Sequence, residues 1–381
     1  EISECLVGSE MCIRDSAITL AQKAVGKTNP NPMVGAVVVK DGRIIGEGYH
    51  MHIGGLHAER NALANCTESP AGATIYVTLE PCCHYGKTPP CTDAIIQNHL
   101  AKVVIGSRDP NPKVAGKGVK LLRDAGIEVV EDFLREECDA INPVFFHYIK
   151  EKQPYVALKY AMTADGRIAI DSGESRWITG ESAREHTHQL RNYYKGILVG
   201  IGTVLLDNPL LTCRIPDGRT PVRIVCDSHL RIPVDCNLCN STDQGPVIVA
   251  YLDSITHMPD APVDLSDKMQ ILKQKGVTLL PVKEKDGHID VTDLLTQLGQ
   301  MDIDGILVEG GGTMNAAFIE AGRVDHVYAY IGAQIFGGSH PYTPVKGKGI
   351  VSIEDSLKLT NPKIQLFNPD VLIEYDVLEK G

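Results

Sequence analysis

Four side chains early in the chain have the types and spacing to do chemistry together. His57 and Glu59 stand in the triplet His57-Ala58-Glu59, Cys82 follows Pro81, and Cys91 lies further on. One imidazole and two thiolates form a three-donor set for catalytic zinc, leaving the fourth position open to water. Zinc bound there lowers the pKa of that water toward neutrality. Glu59 is not needed as a ligand. Two residues from His57, it is placed to carry a proton from attacking water to leaving ammonia. H-x-E followed by P-C and a second cysteine is the order used by zinc deaminases acting on an amino-bearing ring carbon. H-x-E alone is usually chance; the added P-C and cysteine make chance a poor explanation. One feature departs from the common P-C-x-x-C form: residues 83–90 separate the two thiols. Cys83, adjacent to Cys82, reads as packing.

The elements that would hold these groups alternate. Met33–Lys40 and Ile44–His50 flank Asp41-Gly42-Arg43 and predict a hairpin. His57–Cys66 has helical composition, Ala73–Leu79 reads as a strand, and Thr88–His99 as a helix with prolines in its first turn. Lys102–Ser107, Val114–Ala125 and Glu128–Val130 continue as strand, helix, strand. This predicts an α/β sandwich, parallel apart from the opening hairpin. His57 would open a helix after Gly54-Gly55. Cys82 would follow a strand and precede a helix whose dipole favours thiolate.

Charged Lys150–Pro154 (KEKQP) reads as a linker between residues 17–149 and 155–381. A second alternation follows. Its strands are expected at Tyr155–Ala161, Gly196–Val199, Val222–Asp227, Val247–Tyr251, Val277–Leu280, Gly305–Val308 and His326–Ile331. Its helices are expected at Glu181–Tyr193, Asp267–Lys275, Val291–Gln300 and Met314–Ala321. Glu1–Ser16 has neither a basic region nor an apolar stretch of secretory type, and reads as a non-native or disordered leader.

With 381 residues, each half is long enough to bury its own core. The net charge of −11 argues against a nucleic-acid-coating surface, yet leaves room for local cations around one phosphorylated small molecule. No apolar run suggests a membrane span. The 11 cysteines are odd in number and sparsely spread, which suits a reducing cytoplasm.

At this point several segments become specific. TNPNPMVGAVVVKDG (Thr28–Gly42), GEGYH (Gly46–His50), HAE and PCCHYGKTPPC (Pro81–Cys91) closely resemble the bifunctional deaminase/reductases of riboflavin biosynthesis. In that family the long cysteine spacing is the normal form. The resemblance runs from about Ala17 to the C-terminus. It implies a cytidine-deaminase-like three-layer sandwich followed by a dihydrofolate-reductase-like α/β domain. The first would hydrolyse the 2-amino group of 2,5-diamino-6-ribosylamino-4(3H)-pyrimidinone 5′-phosphate. It further implies that Asn31 reads the pyrimidine. His50, His84 and Lys87 would approach the ribose phosphate, with Asp109 and Asn111 assisting. Taken alone, the two histidines read as surface or core, and Asn31, Asp109 and Asn111 as turn residues beside proline.

The second half is less explicit by itself. Glu309-Gly310-Gly311-Gly312-Thr313 follows a strand and opens a helix. Such a loop either offers N–H groups to a phosphate or is a tight strand–helix turn, and Gly200-Ile201-Gly202-Thr203 is equally open. LKYAMTADGRIA (Leu158–Ala169), SGESRWIT (Ser172–Thr179), GTVLLDNPLLTCR (Gly202–Arg214) and VEGGGT (Val308–Thr313) resemble the family's reductase domain. That implies NADPH contacts by Ala161, Trp177, Thr203, Asp207, Ser228, Gly310, Gly311, Gly312 and Thr313. It implies substrate contacts by Ser175, Arg191, Leu211, Arg214 and Glu309, with Lys159 polarising the ring-opened imine at C1′. Without it, Trp177 reads as core, Arg191 as a helix face and Asp207 as a turn. The resemblance also implies a homo-oligomer. Cys236-x-x-Cys239 lacks a partner pair and reads as incidental. A plain nucleoside or tRNA deaminase is disfavoured by the cysteine spacing and the second half. A degenerate binding module is disfavoured by the intact four-residue set.

Overall fold

The computed structural model describes residues 15–86, 88–111, 114–256, 265–339 and 342–378. The chain divides into two compact units, Glu1–Lys152 and Gln153–Gly381.

Unit 1 is built on a five-stranded sheet. Strands β1 (Gly35–Lys40) and β2 (Arg43–Tyr49) form the hairpin; β3 (Thr74–Leu79), β4 (Lys102–Ser107) and β5 (Glu128–Val130) complete the order β2-β1-β3-β4-β5. The hairpin turns through Asp41 and Gly42, both at positive φ, as a two-residue turn between right-twisted strands requires. β3, β4 and β5 are parallel, whereas β1 is antiparallel to both neighbours. The helices are α1 (residues 15–22), α2 (Ala58–Ala64), α3 (Cys91–Gln97), α4 (Lys117–Asp124), α5 (Arg135–Asp139) and α6 (Pro143–Glu151).

Alternation along β1 sends Ala36 and Val38 into one apolar layer with Ile75, Ile95 and Leu122. It sends Val37 and Val39 into the other, with Ala17 and Leu20 of α1. Helices on both faces give the three layers. Each fully buried aliphatic side chain contributes about 1.5–3 kcal/mol. α2 lies unusually close to β2, because a Cβ on Gly48 would stand 2.3 Å from the Ala62 nitrogen. That close approach places His57 and Glu59 over the sheet.

Several boundaries differ from expectation by a few residues, as where Val114–Ala125 is helical only over Lys117–Asp124. The helix expected over Thr88–His99 begins only at Cys91, since Pro89 and Pro90 lack N–H groups and Pro90 has an extended ψ of 142°. Of the segment Lys150–Pro154, Lys150 and Glu151 end α6, which closes on Lys152 in the left-handed region, and Gln153 and Pro154 lead into β6. Of the expected leader, residues 1–14 lie outside the described residues, while Asp15 and Ser16 are already helical.

Unit 2 carries a nine-stranded sheet. Its strands are β6 (Tyr155–Thr163), β7 (Gly196–Gly200), β8 (Val222–Cys226), β9 (Val247–Leu252), β10 (Val277–Val282), β13 (Gly305–Val308), β14 (His326–Gly332), β15 (Leu359–Phe367) and β16 (Asp370–Val377). β11 (Glu284–Lys285) and β12 (His288–Ile289) form a separate small hairpin. The sheet order is β10-β9-β8-β7-β13-β6-β14-β16-β15, parallel from β10 to β14 and antiparallel beyond. Helices α7 (Glu181–Tyr193), α8 (Ile201–Asp207), α9 (Leu265–Gln274), α10 (Val291–Gln300) and α11 (Gly312–Glu320) flank it.

Parallel strands buried on both faces read as continuous apolar runs, such as VIVAYL in β9. Leu198 of β7 packs with Leu294 and Phe318 on one face, and Ile197 and Val199 with Val249 and Leu272 on the other. β15 and β16 were not expected. β15 is an edge strand carrying Pro362, with Ile364 and Leu366 exposed, so it lacks a buried alternation to read. Gly200–Thr203, open between turn and phosphate loop, is the start of α8.

Candidate active sites

In unit 1 the four chemical residues converge. His57 is the N-cap of α2, Glu59 lies in its first turn, and Cys91 is the first residue of α3. The His57 Nδ1 lies 3.4 Å from both the Cys82 and Cys91 Sγ atoms. The three ligand atoms all fall within 4.8 Å of one another, the single such cluster among the described residues. The Cys82 carbonyl accepts from the N–H groups of Cys91 and Thr92, which seats Cys82 at the start of α3. The donor set fits zinc: one imidazole, two thiols, and no fourth protein ligand. Hydrogen bonding from Cys91 outweighs burial and, with His57, holds the Cys82 thiol well below its usual value.

Glu59 is buried beneath this cluster. Burial pushes its carboxyl up and the neighbouring Cys82 adds to the rise, so a proton is easily held there. His50 is also buried; its Nδ1 faces the Leu56 carbonyl at 3.1 Å and its Nε2 faces Asn31 at 3.4 Å. Its ring meets that of His57 edge-on at 5.4 Å, so Asn31, His50 and the donor set form one neighbourhood. Burial raises Asp109 to about 6, against a hydrogen bond from the Asn111 N–H, with Glu80 and Cys82 adding to the rise. The His84 Nδ1 is buried without a hydrogen-bond partner among the described residues. Lys87 lies outside the described residues.

Two residues here escaped the sequence reading. Thr88 Oγ1 lies 3.4 Å from the His57 Nε2, where it can fix the imidazole's orientation. Arg60 donates to the Pro89 and Pro90 carbonyls at 3.0 and 2.7 Å, tying the loop before Cys91 to the helix that carries Glu59. Adjacency to Glu59 was the available signal, but an arginine on a helix ordinarily reads as solvated.

In unit 2 a cavity of about 1100 Å³ opens where β6, β7, β8 and β13 end. Its lining includes Lys159, Ala161, Ser175, Trp177, Arg191, Thr203, Asp207, Arg214, Ser228 and Glu309–Thr313. These are all but one of the positions the resemblance implied. The exception is Leu211, which is buried in the core behind α8. At the centre, Arg191 grips Glu309 through two hydrogen bonds of 2.8 and 2.9 Å, and Lys159 Nζ lies 4.0 Å from the same carboxylate. Burial pushes the Glu309 carboxyl up, yet Arg191 and Lys159 outweigh it and hold the group at about 2. Burial pulls the Lys159 ammonium down.

Trp177 is exposed, not core, and Arg184 stacks on its ring at 4.4 Å. His188 was missed: it accepts from Arg214 Nε at 3.1 Å, and burial with two neighbouring arginines lowers it to about 4. Arg184, His188 and Arg191 sit on one face of α7 at helical spacing, a signal that was present in the sequence. The glycine loop leads through the N-cap Gly311 into α11, a helix N-terminus of the kind that suits a dinucleotide's diphosphate. Cys236 and Cys239 are buried 3.5 Å apart in the loop between β8 and β9, with no third donor beside them among the described residues.

A zinc-deaminase donor set in one α/β unit and a cofactor-sized cavity in another define a two-unit deaminase and reductase. Residues 12–107 match the cytidine and deoxycytidylate deaminase zinc-binding region, and residues 154–373 match the RibD C-terminal domain. Riboflavin biosynthesis protein RibD of Actinobacillus pleuropneumoniae is 50% identical over 362 residues, covering 95% of this chain and 94% of that protein. The protein of the same name from Escherichia coli K12 is 37% identical over 374 residues, covering 94% and 96%. A Thermotoga maritima structure, a diaminohydroxyphosphoribosylaminopyrimidine deaminase/5-amino-6-(5-phosphoribosylamino)uracil reductase, aligns with a TM-score of 0.84 at 39% identity, covering 97% and 99%. Acinetobacter baumannii RibD aligns at 0.85 with 33% identity, covering 98% and 99%. The chain belongs to the RibD family and is a bifunctional deaminase/reductase of riboflavin biosynthesis that uses zinc and NADPH. Among the described residues no helix is long and apolar enough to cross a membrane.

Proposed function

We propose that unit 1 deaminates 2,5-diamino-6-ribosylamino-4(3H)-pyrimidinone 5′-phosphate and that unit 2 reduces the product's ribosyl chain to ribityl. The observation that carries this reading is the convergence of His57, Cys82 and Cys91 above buried Glu59. The two activities of the Thermotoga maritima relative supply the substrate class.

Zinc held by His57, Cys82 and Cys91 supplies Lewis-acid activation of water. Glu59 takes the proton from that water and delivers it to the departing amino group. Asn31, with His50 beside it, orients the pyrimidine, and His84, Lys87, Asp109 and Asn111 meet the ribose phosphate. In unit 2 NADPH supplies the hydride. Lys159 donates toward the imine formed at C1′, and Glu309 keeps Lys159 and Arg191 in place. Arg214 and Ser175 bind the substrate phosphate, the Nη atoms of Arg214 offering paired donors, and Arg191, held by Glu309 and the Thr212 carbonyl, adds its positive charge beside the substrate. Leu211 contributes through its backbone position beside Thr212, whose carbonyl Arg191 holds. Ala161, Trp177, Thr203, Asp207, Ser228 and Gly310–Thr313 receive the cofactor. We further infer a homo-oligomer working in the cytoplasm; no disulfide joins any described cysteine.

The test is zinc analysis combined with NADPH oxidation on addition of the deaminated substrate. One zinc per chain and prompt oxidation are expected; no oxidation would reject the reductase assignment. Cys91→Ala should remove the zinc, because two donors remain and half the thiolate charge is lost. Zinc content unchanged in Cys91→Ala would remove the ligand assignment. Cys236→Ala should leave zinc content as in the wild type.

Each unit buries its own apolar layers, so each should work alone. The cut belongs after Lys152, because Phe145 and Tyr148 of α6 are buried. Soluble fragment 1–152 should deaminate without NADPH, and fragment 153–381 should reduce only the deaminated compound. A zinc-loaded first fragment that deaminates only when the second is added would show that the pocket borrows residues from the other unit.

A further inference from the structure

Two thiols of unit 2 face each other outside the cavity lining. Cys236 and Cys239 lie between β8 and β9, in a turn closed by a hydrogen bond from the Asn240 N–H to the Cys236 carbonyl at 3.1 Å. Side chains three residues apart on such a turn are neighbours. The sulfurs share a hydrogen bond at 3.5 Å, so each has only about 0.7 Å to travel to disulfide bonding distance. Both cysteines are buried, in one apolar cluster with Leu230, Ile232, Leu238 and Val249. An apolar setting of that kind favours an uncharged disulfide over a thiolate. The cover is one residue thick, because Asp235, Asn237 and Asn240 are exposed. Hydrogen bonding from Cys239 lowers the Cys236 thiol below its usual value, against burial, as suits the attacking sulfur of a pair.

The turn is tied to the cavity wall. Asn237, between the two cysteines, donates from its backbone N–H to the Asn208 Oδ1 at 2.8 Å and from its Nδ2 to the Asn208 carbonyl at 2.7 Å. Asn208 closes α8 in the left-handed region, directly after Leu206 and Asp207, which line the cavity. Ser241 Oγ donates to the Asn237 carbonyl and accepts from Arg223, both at 2.7 Å. Arg223 in turn donates to the Leu210 carbonyl at 3.3 Å. Residues 208 and 210 are thus both held by this turn, and drawing the turn tighter pulls on the end of α8.

We propose that Cys236 and Cys239 are a modification site: hydrogen peroxide oxidises them to a reversible disulfide, and that closure weakens NADPH binding through the end of α8. The Cys236 thiolate attacks one oxygen of the peroxide. The O–O bond breaks, and the leaving hydroxide takes the proton that Cys236 gave up, forming water and a sulfenic acid. The Cys239 sulfur then attacks the Cys236 sulfur. The S–O bond breaks, and hydroxide leaves with the Cys239 proton as a second water. Two thiols lose two electrons and two protons, and the peroxide is reduced to two waters. A small dithiol reverses the bond by exchange, itself becoming a disulfide. The effect on NADPH rests on the reading that the unit 2 cavity holds the cofactor; the disulfide does not.

Full-length, zinc-loaded protein treated with excess hydrogen peroxide tests this, with thiols alkylated in denaturant and peptides mapped by mass. The expected product is a Cys236–Cys239 disulfide, lighter by two hydrogens and refractory to alkylation. Dithiothreitol should restore both thiols. In the oxidised protein the KM for NADPH should rise roughly 3- to 10-fold, the scale of one lost hydrogen bond, with kcat little changed. Cys236→Ser should keep the KM of untreated wild type before and after peroxide, which also shows that the variant is folded. Cys236→Ala serves in its place if serine disturbs the buried turn. Both thiols still open to alkylation after treatment would overturn the proposal. So would a KM rise that persists in these variants, and so would a disulfide that leaves KM unmoved, since nothing would then pass through Asn208. If reduced wild type oxidises no NADPH with the deaminated substrate, the cavity reading fails; the disulfide is still judged by mass.

Discussion

Glu59→Gln should cut deamination by about 10⁴-fold, the upper range for a lost general acid and base. Zinc content should stay at the wild-type level, because the carboxyl is not among the three clustered donors. Glutamine matches glutamate in shape, so the buried site should not collapse. It cannot accept the proton of attacking water, and no other carboxyl occupies its place between Cys82 and Cys91. Reduction of pre-deaminated substrate should proceed at the wild-type rate, since Lys159, Arg191 and Glu309 belong to the other unit. Joint loss of both activities would mean a single composite site. Loss of zinc would mean that Glu59 is a ligand.

The second large effect is expected at Glu309. It is buried with Arg191 and Lys159, two cations for one carboxylate. Glu309→Gln leaves both cations without compensation, and breaking such a buried pair costs about 3–5 kcal/mol. Urea unfolding of fragment 153–381 at neutral pH should show that loss, and reduction should fail with it. The wild-type carboxyl sits at about 2, below its ordinary 4.5. A depressed carboxyl stabilises the fold fully above its unfolded value and loses that contribution as pH falls toward its folded value. The gap in stability between wild type and Glu309→Gln should therefore be constant above about pH 5 and narrow as pH falls from 4.5 toward 2. A gap that widens on acidification would contradict the pairing.

What the sequence determined by itself was the chemistry of unit 1 and the strand–helix order of both units. H-x-E and P-C are local patterns, and the elements around them are short and strongly apolar. His57 at a helix start and Cys82 after a strand follow from glycine placement and strand composition within a few residues. The seven parallel strands of unit 2 were legible for the same reason: strands buried on both faces leave unbroken runs such as VIVAYL.

Tertiary structure alone decided the rest, because the contacts are long-range. Arg191 meets Glu309 across more than a hundred residues, and neither looks unusual in its own segment. Thr88 and Arg60 act on His57 and Cys91 through folded proximity. Trp177, which composition alone would bury, is left exposed by its place at the cavity rim with Arg184 on its ring. β15 escaped notice because an edge strand exposed on its surface needs no apolar alternation. Local pattern specifies which groups can react and which segments form strands or helices. Which distant groups share a charge, a cavity or a proton is decided only when the sheet brings them together.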